Sequence, residues 1–159
     1  MKKKWIIGLI ALLGCAAAML GLLNRNSSPA GEGLLLQAGG KTYTVSYEKA
    51  DQISFEGDLV NGKGEVTHHA YQGIELSSLL SANGIAVSDT SKITAVSEDN
   101  YSAELTGTEV LEPGKVYIAV TADGDQIEGI EGGQGAQLIV FGDSNSKRAV
   151  RYLKTIAVE

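Results

Sequence analysis

The chain has 159 residues, of which 43% are hydrophobic and 20% are charged, a composition typical of one globular domain with a short extension and not of a disordered chain. Residues 1–25 hold four of the 13 basic residues and no acidic one, so the remainder carries nine bases against 19 acids. Residues this acidic repel phosphate backbones, which argues against nucleic acid as a partner. The single cysteine, Cys15, excludes a disulfide, a CxxC zinc site and a thiol nucleophile in the rest of the chain.

Residues 1–23 have the pattern of a signal or membrane anchor. Three lysines precede Trp5–Leu23, a run without charge that would be about 28 Å long as a helix, close to the thickness of the hydrocarbon core. This order predicts a protein of the cell membrane with a cytoplasmic N-terminus and an extracytoplasmic domain. Two processed forms stay open: cleavage at the small residues Ala16–Ala18, and lipidation of Cys15, because Leu12–Cys15 resembles a bacterial lipobox.

Residues 24–33 are rich in Ser, Gly and Asn and form a predicted linker, so residues 34–159 are the predicted domain. The domain begins with segments in which apolar and polar residues alternate, the pattern of β-strands. The predicted strands are Leu34–Gln37 and Lys41–Tyr47, joined by a turn at Gly39-Gly40, then Ile53–Val60 and Glu65–Tyr71, joined by a turn at Asn61–Gly64. Asn and Gly tolerate the positive φ that such a hairpin turn requires.

A helix is predicted over Glu75–Ala82, because its leucines recur at helical spacing. The expected caps are Ser77 or Ser78 at its start and Asn83-Gly84 at its end. This irregular mixture of strands and short helices predicts an α+β fold with a mixed sheet. The remaining predicted elements are a short helix at Thr106–Leu111 and the strands Lys92–Ser97, Tyr101–Leu105, Val116–Thr121 (expected to be central), Gln137–Phe141 and Leu153–Val158.

Three patterns resemble metal or phosphate sites, and each lacks a required feature. His68 and His69 are adjacent on a strand, so their side chains point to opposite faces and are expected to be ordinary strand residues. Asp123-Gly124-Asp125 begins like a calcium loop, but Gln134 stands where the final glutamate ligand is needed. Gly132–Gly135 lacks the helix and the Lys-Ser/Thr pair of a phosphate loop, so a turn is predicted there.

A basic cluster near the C-terminus is the strongest candidate site. Lys147, Arg148, Arg151 and Lys154 follow the polar loop Asp143–Ser146. Basic side chains beside hydroxyl and backbone N–H groups can bind an anion such as phosphate. The alternative is a solvated edge whose charges keep the C-terminal strand from pairing with other chains.

Five segments, in chain order, resemble motifs of the sulfite-oxidase-type molybdopterin-binding domain. The first is Tyr71–Leu80 with Asn83-Gly84-Ile85, which is similar to "aromatic-x-G-V-x-L-x-x-L-L" followed by "G-V". The second, Ser97–Ser102, is similar to "S-x-D-G-Y", with Asn100 in place of the glycine, and the third, Val116–Asp125, is similar to an apolar strand followed by "N-G-x-x-L". The fourth, Gly135–Gly142, is similar to "G-x-P-x-R-L-V-V-P-G" but lacks the proline and the arginine. The fifth, Ser146–Leu153, is similar to "Y-K-S-V-K-W-L", and the family's closing "I-x-V" corresponds to Ile156–Val158. The resemblance extends over most of Tyr43–Val158.

The resemblance implies a sandwich built on a mixed β-sheet with short helices, and a pterin site at the basic loop. The residues that would hold the pterin phosphate are Lys147, Arg148 and Arg151, with Ser146 and Tyr101 beside them. Catalytic members of the family bind molybdenum through a cysteine placed before the "G-V-x-L" helix. The corresponding stretch of this chain, residues 55–71, contains no cysteine.

The missing thiolate decides the expected chemistry, because nitrogen and oxygen ligands do not replace it in this redox reaction. No catalytic residue, metal ligand or cofactor is therefore expected, and Gln137 stands where the family has an arginine, which weakens anion binding further. The leading prediction is a membrane-anchored extracytoplasmic domain that binds a small anionic ligand or acts as an accessory module without catalysis. Two alternatives stay open: a molybdopterin-dependent oxidoreductase with an atypical metal ligand, and a cell-envelope module that binds another protein through its acidic body and an exposed edge strand.

Overall fold

The fold is taken from a computed structural model that describes residues 33–46 and 51–159. The predicted anchor, Cys15 and nearly all of the predicted linker lie outside the described residues, as does Tyr47 at the end of the second predicted strand. None of the helices in the described ranges has the length and apolar composition of a membrane span.

The described residues form short strands and helices whose positions follow the alternation and the turns of the sequence. In chain order they are β1 (Leu34–Ala38), β2 (Lys41–Val45), β3 (Ile53–Val60), β4 (Val66–Glu75), α1 (Leu76–Ala82), β5 (Lys92–Ser97), β6 (Ser102–Thr106), α2 (Gly107–Leu111), β7 (Val116–Ala122), β8 (Asp125–Gln126), β9 (Gln137–Val140), a 3-10 turn (Ser146–Arg148) and β10 (Leu153–Val158).

The strands form two five-stranded sheets. The first has the order β2-β1-β10-β5-β6 and is mixed, because β1 runs parallel to β10 while its other pairs are antiparallel. The second has the order β3-β4-β7-β8 and is antiparallel, and β9 also pairs with β7, beside β8. Strand β7 is thus central, as its apolar sequence predicts. A β-rich α+β fold with a mixed sheet is confirmed at this level.

One core cluster draws side chains from both sheets and from α1. Leu36 and Ile156 of the first sheet, Ile118 and Leu138 of the second and Leu80 of the helix are all 0% exposed. Burial of side chains of this size contributes about 1.5 to 3 kcal/mol each, which is why these short elements are stable together.

Helix α1 begins one residue later than predicted and its expected N-terminal cap is wrong. Glu75, not Ser77 or Ser78, occupies the capping position, and it makes no side-chain cap bond. The Glu75 carboxylate instead accepts a hydrogen bond from the N–H of Gly114, 2.8 Å away. The predicted end is confirmed, because the Asn83 side chain donates to the carbonyl of Leu79 at the last turn.

A second apolar cluster lies on the face of the second sheet that points away from the core. Tyr71 is buried in it, and Phe55, Tyr117 and Phe141 are partly buried. The rings of Phe55 and Tyr117 stack with their centroids 4.0 Å apart, and Phe141 meets both edge-on. A Cβ at Gly57 would lie 2.4 Å from the Phe141 ring, so the absence of a side chain at that position lets the ring cross β3.

Candidate functional site

The predicted basic loop is fixed at both ends to the core. It connects β9 to β10, and the backbone N–H of Leu138 donates to the carbonyl of Val150, 2.9 Å away. The N–H of Leu153 donates to the carbonyl of Ala136 at the same distance. Val150 itself is 0% exposed, so the basic residues lie on a loop anchored by a buried side chain.

Within the loop, several groups that could bind an anion are already bonded to the protein. The Ser146 hydroxyl donates to the carbonyl of Val60 at the end of β3, 2.7 Å away. The Asn145 side chain accepts the backbone N–H of Lys147 at 3.2 Å and so caps the 3-10 turn. The Ser146 hydroxyl and the Lys147 N–H, two groups that could have bound an anion, therefore already donate to other atoms of the protein.

Arg148 is held between two carboxylates. Its Nε donates to Asp143 Oδ2 at 2.8 Å, and its Nη2 donates to Glu109 Oε1 at 2.8 Å. A second bond to each partner makes both contacts bidentate, the geometry in which arginine binds a carboxylate most strongly. The three side chains are 16 to 30% exposed, so water screens the charges only in part.

Glu109 connects this ion pair to the start of α2. Thr106 and Glu109 form a capping box, in which the Thr106 hydroxyl accepts the Glu109 N–H and the Glu109 carboxylate accepts the Thr106 N–H at 2.9 Å. Hydrogen bonding from Arg148 lowers the pKa of Glu109 from 4.5 to about 2, with a further contribution from Thr106 and in spite of partial burial. The same two carboxylates, Asp143 first and then Glu109, raise the pKa of Arg148.

The lowered pKa of Glu109 predicts a loss of stability in acid. The ionised carboxylate stabilises the fold at all pH values above about 4.5, and this contribution disappears as the pH falls from 4.5 to about 2. Glu109→Gln is expected to lower the free energy of unfolding by about 2 kcal/mol at pH 6 and by almost nothing near pH 2. Chemical denaturation across this range measures the difference, and Glu112→Gln, at a 57% exposed side chain paired with Lys115, is the matched control. A pH-independent effect of Glu109→Gln would contradict the prediction.

Tyr101 contacts the basic loop from the turn between β5 and β6. Its hydroxyl donates to the carbonyl of Lys147, 2.5 Å away. The turn is shaped by the buried Ser97, whose hydroxyl donates to Asp99 and lowers the pKa of that carboxyl. Asn100 has φ 66°, a left-handed conformation that favours glycine, which explains why glycine occupies this place in the motif that the turn resembles.

The structure therefore brings together Tyr101, Ser146, Lys147 and Arg148, and most of their hydrogen-bond donors are already bonded to other residues of the protein. The side chains of Lys147 and Arg151 are exposed and form no ion pair with any of the described residues. Anion binding by this loop stays a prediction that rests on these two side chains.

Sequence reasoning missed Glu109 as a partner of Arg148. The two residues are 39 positions apart, and no local pattern connects them. The Thr-x-x-Glu spacing does identify Glu109 as a capping residue. Asp143 belongs to the polar loop that the sequence indicates, but its pairing with Arg148 depends on the 3-10 turn at Ser146–Arg148.

The two histidines have separate carboxylate partners. His68 Nδ1 lies 2.8 Å from Asp58 on β3, and His69 Nδ1 lies 2.7 Å from Asp123 in the turn after β7. Asp123 also accepts the backbone N–H of Ala70 at 3.0 Å, and these bonds lower its pKa. The contacts of His68 and His69 connect β4 to its neighbours, which agrees with their interpretation as ordinary strand residues.

Gly132 and Gly133 form the expected turn, with φ 87° and 77°.

A shallow cleft of about 500 Å³ lies over β3, β4 and the end of β7, away from the basic loop. The residues that line it include Ala70 and the polar residues Ser54, Gln72 and Thr121. Burial raises the pKa of Tyr71, which also lines the cleft, to about 12, with a smaller contribution from Asp123.

The residues at the expected metal position do not fit molybdenum. Residues 55–71 form the hairpin of β3 and β4 and contain no thiol. Within the described part of the chain, no group of three or more His, Cys, Asp or Glu side chains is arranged to hold a metal ion. The donors near this hairpin are imidazole and carboxylate, which differ in softness from a thiolate.

Comparison with known proteins identifies the fold. No family model and no curated protein sequence matches the chain. The structure is similar to that of the sulfane dehydrogenase SoxCD from Paracoccus pantotrophus, with a TM-score of 0.64 and 15% identity. The match covers 80% of this chain and 38% of that chain, so this protein spans less than half the length of its structural neighbour. At this identity the likeness shows the fold alone.

Proposed function

We propose that this chain is a membrane-anchored, extracytoplasmic accessory or ligand-binding module with the sandwich fold of a sulfite-oxidase-type molybdopterin-binding domain, and that it lacks the metal chemistry of that family. Residues 1–23 supply the anchor and residues 34–159 the domain. The observation that carries the proposal is the absence of any cysteine after Cys15, because the family's way of holding molybdenum requires a thiolate in the domain.

The ion pairs of Arg148 support the same proposal. A guanidinium bound bidentately by Asp143 and Glu109 has little charge left for a phosphate. To bind a pterin phosphate, Arg148 would have to leave two carboxylates unpaired in a partly buried site. Lys147 and Arg151 are left to attract a small anionic ligand, and two exposed cations give weak binding at physiological salt.

Metal and pterin analysis of the full-length chain tests the proposal. The protein is purified in detergent micelles from a host that makes the molybdenum cofactor, together with a cysteine-ligated molybdenum oxidoreductase as the control for loading. We expect molybdenum and pterin at or below about one part in a hundred of the protein, since no soft ligand is present. Stoichiometric molybdenum would overturn the proposal and would favour the alternative, an oxidoreductase with an atypical ligand.

A further inference from the structure

Strand β3 forms an outer edge of the second sheet among the described residues. All eight of its residues pair with β4 in one continuous register, from Ile53 opposite Gly73 to Val60 opposite Val66. Soluble proteins usually protect such an edge by shortening it, by a bulge, or by placing charged residues or Pro in it. Strand β3 is long for an edge, has no bulge in its pairing and contains no Pro, and its two charged residues, Glu56 and Asp58, are both acidic.

The hydrogen bonds of the hairpin show which backbone groups of β3 point outward. The N–H of Asn61 donates to the carbonyl of Glu65 at 2.9 Å, so this closing pair is bonded inward. Because inward and outward pairs alternate in an antiparallel ladder, the N–H and C=O groups of Ser54, Glu56 and Asp58 point away from β4. The carbonyl of Val60 belongs to the same set and bonds outward to Ser146, which agrees with this assignment. No contact within the described ranges uses the outward groups of those three residues.

The two faces of this edge differ in chemistry. Glu56 and Asp58 lie on one face, with side chains 75% and 61% exposed, beside His68, whose Nδ1 lies 2.8 Å from Asp58 Oδ1 and whose Nε2 lies 3.9 Å from Glu56 Oε2. Phe55 and Leu59 lie on the other face, half-buried in the outer apolar cluster, and Ile53 beside them is 47% exposed. A strand added at this edge would therefore meet carboxylates on one side and apolar surface on the other.

We propose that the outer edge of β3 binds an extended segment of a partner protein by β-strand addition, and that this segment alternates basic and apolar residues. Basic side chains would lie opposite Glu56 and Asp58, and apolar ones would cover Ile53 and Phe55. The backbone bonds supply affinity, and the alternation sets register and specificity. The proposal concerns a surface other than the basic loop and does not depend on the cofactor question.

The charges also select against self-association. An antiparallel pair of two β3 strands related by a two-fold axis at Gly57 would place Glu56 of one copy opposite Asp58 of the other. Like charges directly opposite each other on neighbouring strands are destabilising. The same pattern that disfavours a second copy of this chain thus favours a basic partner.

Peptide binding to the full-length chain in detergent micelles tests the proposal. The probe is a fluorescent nine-residue peptide of alternating lysine and valine, and the control peptide alternates glutamate and valine. We expect the lysine peptide to bind and to slow amide exchange at Ser54, Glu56 and Asp58, which lack a bond inside the sheet. The double variant Glu56→Gln/Asp58→Asn is expected to weaken binding by about fivefold, because two exposed ion pairs are lost. Asp125→Asn/Glu131→Gln, an equal change of charge at exposed positions elsewhere, is expected to leave it unchanged.

A backbone variant separates strand addition from general attraction between opposite charges. Ser54→Pro removes one outward N–H and no inward bond, so the fold is expected to persist while peptide binding weakens by about tenfold. Four results would each overturn the proposal. The first is failure of the lysine peptide to bind the unaltered chain, and the second is protection of amides away from residues 53–60. The third is equal weakening of binding by the two double variants, and the fourth is undiminished binding by Ser54→Pro. None of these outcomes bears on the molybdenum content, so this inference and the proposed function fail separately.

Discussion

Replacing Arg148 with methionine is expected to lower the free energy of unfolding by about 2 to 3 kcal/mol at pH 7. The substitution leaves the carboxylates of Asp143 and Glu109 without their shared cation in a partly buried site. Removing one partner of a buried ion pair costs about 3 to 5 kcal/mol, and the 16 to 30% exposure of these side chains reduces that figure. Methionine is similar in length and apolar character to the arginine stem, so the loss reports the charge and not the packing.

Two further variants identify the cause. Arg151→Met removes an exposed cation three residues away and is expected to change stability by less than about 0.5 kcal/mol. Combining Arg148→Met with Glu109→Gln and Asp143→Asn is expected to restore part of the loss, because no unpaired charge remains. Urea denaturation of all the variants provides the measurement. If Arg148→Met were no more harmful than Arg151→Met, Arg148 would not hold the loop and would be available to a ligand.

The second large effect is expected for Gly73→Ala. Gly73 is buried on β4 where its register against β7 is irregular, and a Cβ there would lie 2.0 Å from the carbonyl oxygen of Ile118. That oxygen belongs to the backbone of the central strand, so it cannot move without displacing the sheet. We expect a loss of about 3 kcal/mol or more, at the upper end of the range for overpacked cores.

Gly62→Ala is the matched control for this prediction. It adds the same methyl group at the tip of the β3–β4 hairpin, where no atom lies within 4 Å of the added Cβ. Its effect on the midpoint of thermal unfolding is expected to be small, whereas Gly73→Ala should lower it by roughly 6 to 12 °C for a domain of this size. Similar midpoints for the two variants would show that the close approach of β4 and β7 does not constrain the fold.

Gly73 also explains one residue of the motif that the sequence resembles. It is the glycine between Tyr71 and Ile74 in the segment that leads into α1. The motif contains a glycine at this position, and the sequence alone does not explain it. The structure does, because the backbone of β7 passes too close to Gly73 for any side chain.

The predictions from sequence are most accurate where a short segment is sufficient to determine the structure. The hairpin turn at Asn61–Gly64 and the boundaries of β3 and β5 are confirmed, because alternation and turn residues act over a few neighbours. The predicted N-terminal cap of α1 is wrong, because Ser77 and Ser78 have side chains suitable for a cap but lie inside the helix. The chain enters that helix directly from β4, and Glu75 bonds instead to the N–H of Gly114, a residue 39 positions later.

The alternating strands, the turns, the acidic composition of residues 26–159 and the lack of a thiol after Cys15 can all be read from the amino-acid sequence, because each is a property of neighbouring residues or of composition. The pairing of Arg148 with Asp143 and Glu109, by contrast, follows from the packing of elements that are distant in the chain. Arg148 and Glu109 meet because β6 and the start of α2 pack beside the loop after β9. The pairing order of the sheets likewise left β3 at an edge. Contacts between residues far apart in the chain depend on how all the strands pack together, and no local pattern of residues encodes them.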